Sequence, residues 1–95
     1  MAPTVNHNAD TRRFETEAAD GALAFLDYTI ERNRITLEHT FVPDQLRGKG
    51  VAANLARAAL SEARQHHWRV IAHCPYVAGF IKRHPDFADL VEPES

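Results

Sequence analysis

The sequence predicts an α/β protein with a mixed sheet: an antiparallel three-strand meander, a central helix, a fourth strand parallel to the third, and a second short helix. Three observations support this fold class. Strand-like runs flank two short polar turns in the first half of the chain. A long, alanine-rich amphipathic segment follows them, and an apolar run comes directly after it. In a strand–helix–strand unit the two strands run parallel, because the right-handed crossover lays the helix on the sheet.

The meander is predicted from three runs, Arg12–Glu17, Ala22–Ile30 and Arg34–Val42. Asp20–Gly21 lies between the first two, and Asp-Gly is strongly favoured in hairpin turns. Residues 1–10 are polar and lack periodicity, so they are predicted to form a flexible N-terminal tail. Strict alternation in the third strand places Ile35, Leu37, His39 and Phe41 on one face and Thr36, Glu38, Thr40 and Val42 on the other.

The second half of the chain predicts two helices and a buried strand. Apolar residues at spacings of three and four predict a helix from Gly50 to about His67. Trp68–His73 is predicted to be the fourth strand. Proline suits the first position of a helix, which predicts a second helix over Pro75–Arg83. Asp86–Val91 is either a last helical turn or a short end strand.

The length, net charge and cysteine content of the chain exclude some classes of function. Ninety-five residues predict a single domain, residues 11–95 after the tail. A net charge of −2 argues against a nucleic-acid coat or a membrane-surface helix, and no apolar run approaches the roughly 20 residues of a membrane span. A single cysteine and no signal-peptide pattern predict a cytoplasmic location. The histidines lack the spacing of a zinc site, so no metal is expected.

The turn between the third strand and the first helix has the character of a phosphate site. Gly48 and Gly50 allow positive φ angles and a close approach of the backbone to an anion, and Arg47 and Lys49 add positive charge. The first turn of a helix also has unpaired N–H groups and a partial positive charge. Together these features predict an anion site built mainly from the main chain.

The same stretch resembles the acyl-CoA pyrophosphate loop of the GCN5-related N-acetyltransferases. Their pattern, Gln/Arg-x-x-Gly-x-Gly/Ala, is met at every fixed position by Gln45–Gly50. The resemblance extends over roughly Arg12 to Val91 and includes the Cys74-Pro75-Tyr76 run, which is similar to a small single-domain branch of that superfamily. It implies that acetyl-CoA (coenzyme A) binds at Phe41, Val42, Arg47, Gly48, Lys49, Gly50, Val51 and Ala52.

The resemblance also implies where the chemistry takes place. Cys74 falls at the end of the fourth strand, where it can be a nucleophile, line the acyl pocket or take part in proton transfer, or serve only as a small buried residue. Larger members often have Asn-x-x-Ala-x-x-x-Tyr in the equivalent helix. Here Cys74 and Ile81 fall near its Asn and Tyr, which leaves Tyr76 as a candidate acid or pocket residue. Glu38 and His39 are candidate bases, predicted to point to opposite faces of the sheet.

Three functions are consistent with these residues. The first is an acetyl-CoA-dependent N-acetyltransferase acting on a primary amine, the second a non-catalytic acyl-CoA-binding or sensor module, and the third thioester chemistry dependent on Cys74. The helical segment that many superfamily members place between their first two strands is reduced here to Ala18–Gly21. That reduction implies an open acceptor groove for a small amine or an exposed protein or peptide amine, in a monomer or weak homodimer.

Overall fold

The computed structural model describes residues 5–18 and 20–92, and it confirms the predicted fold class. A five-stranded sheet has the order β1-β2-β3-β4-β5. The first four strands are antiparallel neighbours, and β5 runs parallel to β4. The elements are β1 (Asn6–Asn8), β2 (Arg13–Glu17), β3 (Leu23–Glu31), β4 (Arg34–Phe41), α1 (Val51–His66), β5 (Arg69–Ala72) and α2 (Pro75–Arg83).

The strand β1 corrects the sequence-based prediction of an unstructured tail over residues 1–10. Asn6–Asn8 pairs with β2, in a register that places His7 opposite Phe14. The His7 ring stacks on Phe14 with centroids 4.4 Å apart, and its Nε2 is hydrogen-bonded to the Tyr28 hydroxyl. The segment shows no apolar pattern because it is an edge strand whose packing contacts come mainly from one side chain, the imidazole of His7. Residues 1–4 of the predicted tail lie outside the described residues.

The described helices pack on one face of the sheet. Buried side chains that alternate along β2 and β3, such as Phe14, Ala24 and Leu26, belong to the same apolar cluster as Leu55 and the alanines of α1. Alanine at these positions lets the helix approach the strands closely, and burial of the joint surface is the main favourable term in folding. Within the described residues the opposite face, referred to below as the open face, has no helix over it.

A β-bulge in β4 overturns the predicted assignment of faces. Asp27 is opposite His39 and Tyr28 is opposite Leu37, so Glu38 is an extra residue in β4 without a partner in β3. An extra residue shifts the alternation by one position. Leu37 therefore faces the helices, whereas His39 and Phe41 face the open side, and Thr40, opposite the buried Leu26, faces the helices.

The end of the chain combines both predicted alternatives for Asp86–Val91. Pro85–Leu90 forms a short 3₁₀ segment, after which Val91 makes a parallel bridge to Val70. Two arginines hold this end. Arg64 of α1 hydrogen-bonds Asp89, and Arg34 of β4 hydrogen-bonds Glu92.

Candidate functional site

The turn between β4 and α1 has the backbone conformation that a glycine allows. Gly48 has φ of +77° and Gly50 has φ of +72°, in the left-handed region that most side chains avoid. A Cβ added at either position would meet no atom of the described residues within 4 Å. Both glycines are therefore explained by their φ angles rather than by crowding within the protein. The space beside them is open and can receive a ligand.

The start of α1 presents amides without a protein cap. Gly50 is the residue before the helix, and no side chain in the described part of the chain caps it. The first turn carries no acidic residue. Beside this turn lies a cavity of about 180 Å³. It is lined by Val42, Leu46, Arg47, Gly48, Gly50, Val51, Ala52, Ala53 and Tyr76. A helix start of this kind favours an anion, because its N–H groups and its dipole both point outward.

The side chains around this turn have different roles. Arg47 forms an exposed ion pair with Asp44, Nε to Oδ1 at 3.2 Å, and Lys49 is exposed. Gln45 of the motif donates a hydrogen bond from Nε2 to Asp20 Oδ2 at 3.3 Å, which links the glycine turn to the β2–β3 turn. The Phe41 side chain is 51% exposed on the open face. Only its backbone can take part in the predicted cofactor contact.

The strands β4 and β5 separate before the chain reaches the glycine turn. Their register ends at Leu37 opposite Ala72, although β4 continues to Phe41. The amides of His73 and Cys74 both donate to the Leu37 carbonyl, at 3.1 and 3.0 Å, and the chain then turns into α2. One side of β4 is therefore open for several residues, which is the arrangement that an extended ligand can pair with.

Cys74 and Thr40 meet across this opening. Thr40 Oγ1 lies 3.2 Å from Cys74 Sγ. Cys74 is 4% exposed and precedes the first residue of α2, with no side-chain capping bond of its own. Tyr76, the second residue of α2, is half-buried and lines the cavity beside the glycine turn. The structure therefore brings Cys74, Tyr76 and the predicted cofactor turn to the helix side of one opening.

Glu38 and His39, the other predicted catalytic residues, both lie on the open face, which corrects the expectation that they point to opposite faces. The His39 amide donates to Asp27 Oδ1 at 2.9 Å, and the His39 ring Nδ1 lies 3.5 Å from the same oxygen. Glu38 Oε1 lies 3.3 Å from His73 Nδ1, and Glu38 Oε2 accepts a hydrogen bond from Thr29. Sequence reasoning missed Asp27, because its place opposite His39 depends on the bulge.

The described part of the chain carries neither a cluster of metal-ligating side chains nor a membrane-spanning helix. No cluster of three or more histidine, cysteine or carboxylate side chains in residues 5–18 and 20–92 is arranged to hold a metal ion. Over the same residues, no helix combines the length and apolar character needed to cross a bilayer.

Comparisons with known proteins agree with this geometry. Residues 13–90 match a family model described as GCN5-related N-acetyl-transferase. Protein NATD1 of Bos taurus is 33% identical over 84 residues, covering 85% of this chain and 74% of the relative. Protein NATD1 of Homo sapiens is 31% identical over the same length, with the same coverage. The NMR solution structure of a Staphylococcus aureus protein described as GCN5-like superposes with a TM-score of 0.74, covering 97% of this chain and 90% of that one. Its sequence identity of 24% makes it a comparison of fold alone.

Proposed function

The chain belongs to the GCN5-related N-acetyltransferase family, and from this premise we propose that it transfers the acetyl group of acetyl-CoA to a primary amine. One observation carries the proposal. The uncapped amides at the start of α1 and the Thr40–Cys74 contact lie at two ends of the same opening between β4 and β5. A diphosphate held at the first end would direct a pantetheine arm along β4 towards the second.

The residues present fit that cofactor. The left-handed glycines turn the backbone, and no atom of residues 5–18 or 20–92 fills the space beside them. Arg47 is close enough to the turn to exchange its exposed partner Asp44 for a phosphate, with which a guanidinium forms paired hydrogen bonds. The backbone of β4 from Glu38 to Phe41 has no β5 partner, so it can pair with the amide groups of the pantetheine arm.

The chemistry requires two proton transfers. The amine nitrogen attacks the thioester carbonyl carbon, the carbon–sulfur bond breaks, the amine loses a proton and the leaving thiolate gains one. On the open face, His39 beside Asp27 and Glu38 beside His73 are the candidate bases for the amine proton. On the helix side, Cys74 and Tyr76 are the candidate donors to the thiolate. Much of the rate enhancement can come from holding the two reactants together.

We propose direct transfer rather than a covalent enzyme intermediate. A nucleophilic thiol needs a base or positive charge beside it. Cys74 precedes α2, whose N-terminus supplies a partial positive charge. Among the described residues, however, its polar side-chain partner is the Thr40 hydroxyl, with no imidazole or carboxylate in hydrogen-bond contact to act as a base. A Cys74-dependent thioester reaction remains the alternative that a substitution of this residue tests directly.

The acceptor is proposed to approach from the open face. No described helix covers that face, and the β2–β3 connection is a short turn at Asp20–Gly21. Asp27 and Glu38 give the approach a negative charge, which suits a cationic amine. An uncovered surface accepts a small amine or an exposed peptide amine equally well on steric grounds.

Turnover tests the proposal. The purified protein is incubated with acetyl-CoA and a panel of primary amines, and both free CoA and acetylated product are measured. Stoichiometric formation of the two supports an N-acetyltransferase. Saturable acetyl-CoA binding without product over the whole panel favours the non-catalytic binding module instead.

A further inference from the structure

Two exposed arginines near the cavity beside the glycine turn contact aromatic rings rather than carboxylates. Arg57 of α1 and Arg83 of α2 form no ion pair with any carboxylate in the described part of the chain. By contrast, Arg34, Arg47 and Arg64 each pair with a nearby acidic residue.

Aromatic rings hold both guanidinium groups in place. The Cζ of Arg57 lies 5.4 Å from the centroid of the Phe80 ring, and the Cζ of Arg83 lies 5.8 Å from that of Tyr76. Cation–π contacts of this length orient a guanidinium without using its N–H donors. Each group is therefore positioned while its hydrogen-bonding capacity stays available for an anion.

Both arginines lie close to residues that line the cavity, although neither lines it itself. Tyr76 lines that cavity, and so does Ala53, one helical turn before Arg57. A Cβ added at Gly79 would lie 3.4 Å from an Arg83 guanidinium nitrogen, so Arg83 folds back along α2 over Gly79 towards Tyr76. Long helical side chains normally point towards the helix N-terminus in this way.

We propose that Arg57 and Arg83 bind the 3′-phosphate of coenzyme A. Through this contact the protein would select coenzyme A thioesters over thioesters that lack the nucleotide or its 3′-phosphate. The inference rests on the proposed function, because it assumes that the diphosphate lies at the glycine turn. If main-chain amides bind the diphosphate of coenzyme A, one further phosphate group of the cofactor, the 3′-phosphate, still needs a positively charged partner. A guanidinium fork matches a terminal phosphate well, since it forms two parallel hydrogen bonds.

The test compares CoA with 3′-dephospho-CoA by calorimetry. Wild-type protein should bind CoA about tenfold more tightly, the size expected for a charge-assisted hydrogen bond at a partly solvated site. Arg57→Gln and Arg83→Gln should each weaken CoA binding and leave 3′-dephospho-CoA unchanged, and the double variant should show no preference. Arg83→Lys, which keeps the charge but loses the fork, should lie in between. The preference should also shrink as salt is raised.

Arg13→Gln is the matched control. Arg13 stacks over the Phe25 ring at 4.0 Å but lies on the open face, so its loss should not change the preference. Melting temperatures of all variants confirm folding. A preference retained in the double variant, or equal losses for both ligands, would overturn the phosphate assignment while leaving the proposed function intact. If folded wild-type protein binds neither ligand, the proposed function itself fails.

Discussion

Thr40 Oγ1 lies 3.2 Å from Cys74 Sγ, across the opening where β4 and β5 separate. The contact exists because Glu38 is an extra residue in β4. Without the bulge, Thr40 would face away from the helices, and Cys74 would have no hydroxyl beside it. The same bulge places His39 on the open face opposite Asp27. One inserted residue thus places a hydroxyl beside the candidate donor Cys74 on one side of the opening and a candidate base on the other.

Two substitutions of Gly48, by asparagine and by aspartate, test the anion site because the two side chains are similar in size and differ by one negative charge. Asparagine and aspartate both tolerate positive φ better than other side chains. Gly48→Asn should therefore fold and bind acetyl-CoA within a few-fold of wild type. Gly48→Asp should fold but bind roughly 100-fold more weakly, because a carboxylate beside the diphosphate is repelled. Calorimetry measures both, and equal affinities for the two variants would mean that no anion lies at this turn.

Cys74 distinguishes direct transfer from a covalent intermediate. Cys74→Ala should retain the acetyl-CoA dissociation constant, and it should lower turnover by about 100-fold if the thiol protonates the leaving group. Intact mass of wild-type protein incubated with acetyl-CoA should show no added acetyl group. An acetylated Cys74 together with an inactive Cys74→Ala protein would establish the covalent route. Thr40→Val, which removes only the hydroxyl, should resemble Cys74→Ala.

A substitution of His39 tests whether this residue accepts the proton of the amine substrate. His39 is 80% exposed on its side chain, so His39→Gln should not affect folding. If it accepts the amine proton, the substitution should lower kcat by about 100-fold and leave acetyl-CoA binding unchanged. His67→Asn is the control, since His67 is exposed at the end of α1 with φ of +60°, which asparagine tolerates. Loss of activity in His73→Gln alone would instead assign the base to the Glu38–His73 pair.

The C-terminal segment should be sensitive to acid. The hydrogen bond from Arg64 lowers the pKa of Asp89 below its ordinary value of 3.8, and the hydrogen bond from Arg34 lowers the pKa of Glu92. A carboxyl with a lowered folded-state pKa contributes stability above its ordinary pKa and loses it as pH falls through the folded-state value. Asp89→Ala should therefore melt below wild type at pH 7, and the two curves should converge below pH 4.

Asp10→Ala is the comparison for that experiment, because Asp10 is an exposed carboxylate in the turn between β1 and β2. Its melting curve should follow the wild-type curve over the whole range. If Asp89→Ala also followed the wild type at every pH, the Arg64–Asp89 pair would contribute nothing measurable, as is common for exposed ion pairs.

The sequence predicts the helices and the glycine turn well, because each depends on local signals. Pro75 sets the start of α2, and the spacing of apolar residues sets α1 within a residue at either end. The bulge at Glu38 could not be predicted, since it is defined by the register between two strands rather than by the composition of either. The strand Asn6–Asn8 was missed for a similar reason, because its contacts are with Phe14 and Tyr28 and its own residues show no period.

An amide NMR titration with acetyl-CoA tests the central claim most directly, because it reports on the main-chain groups proposed to hold the diphosphate. We expect saturable shifts at Gly48, Gly50, Val51 and Ala52, with further shifts at Thr40 and Cys74 that CoA alone produces more weakly. If a saturating concentration of acetyl-CoA leaves these amides unmoved, or shifts only residues such as Ala78 and Val91 around the cavity beyond β5, the proposed acetyl-CoA site is wrong.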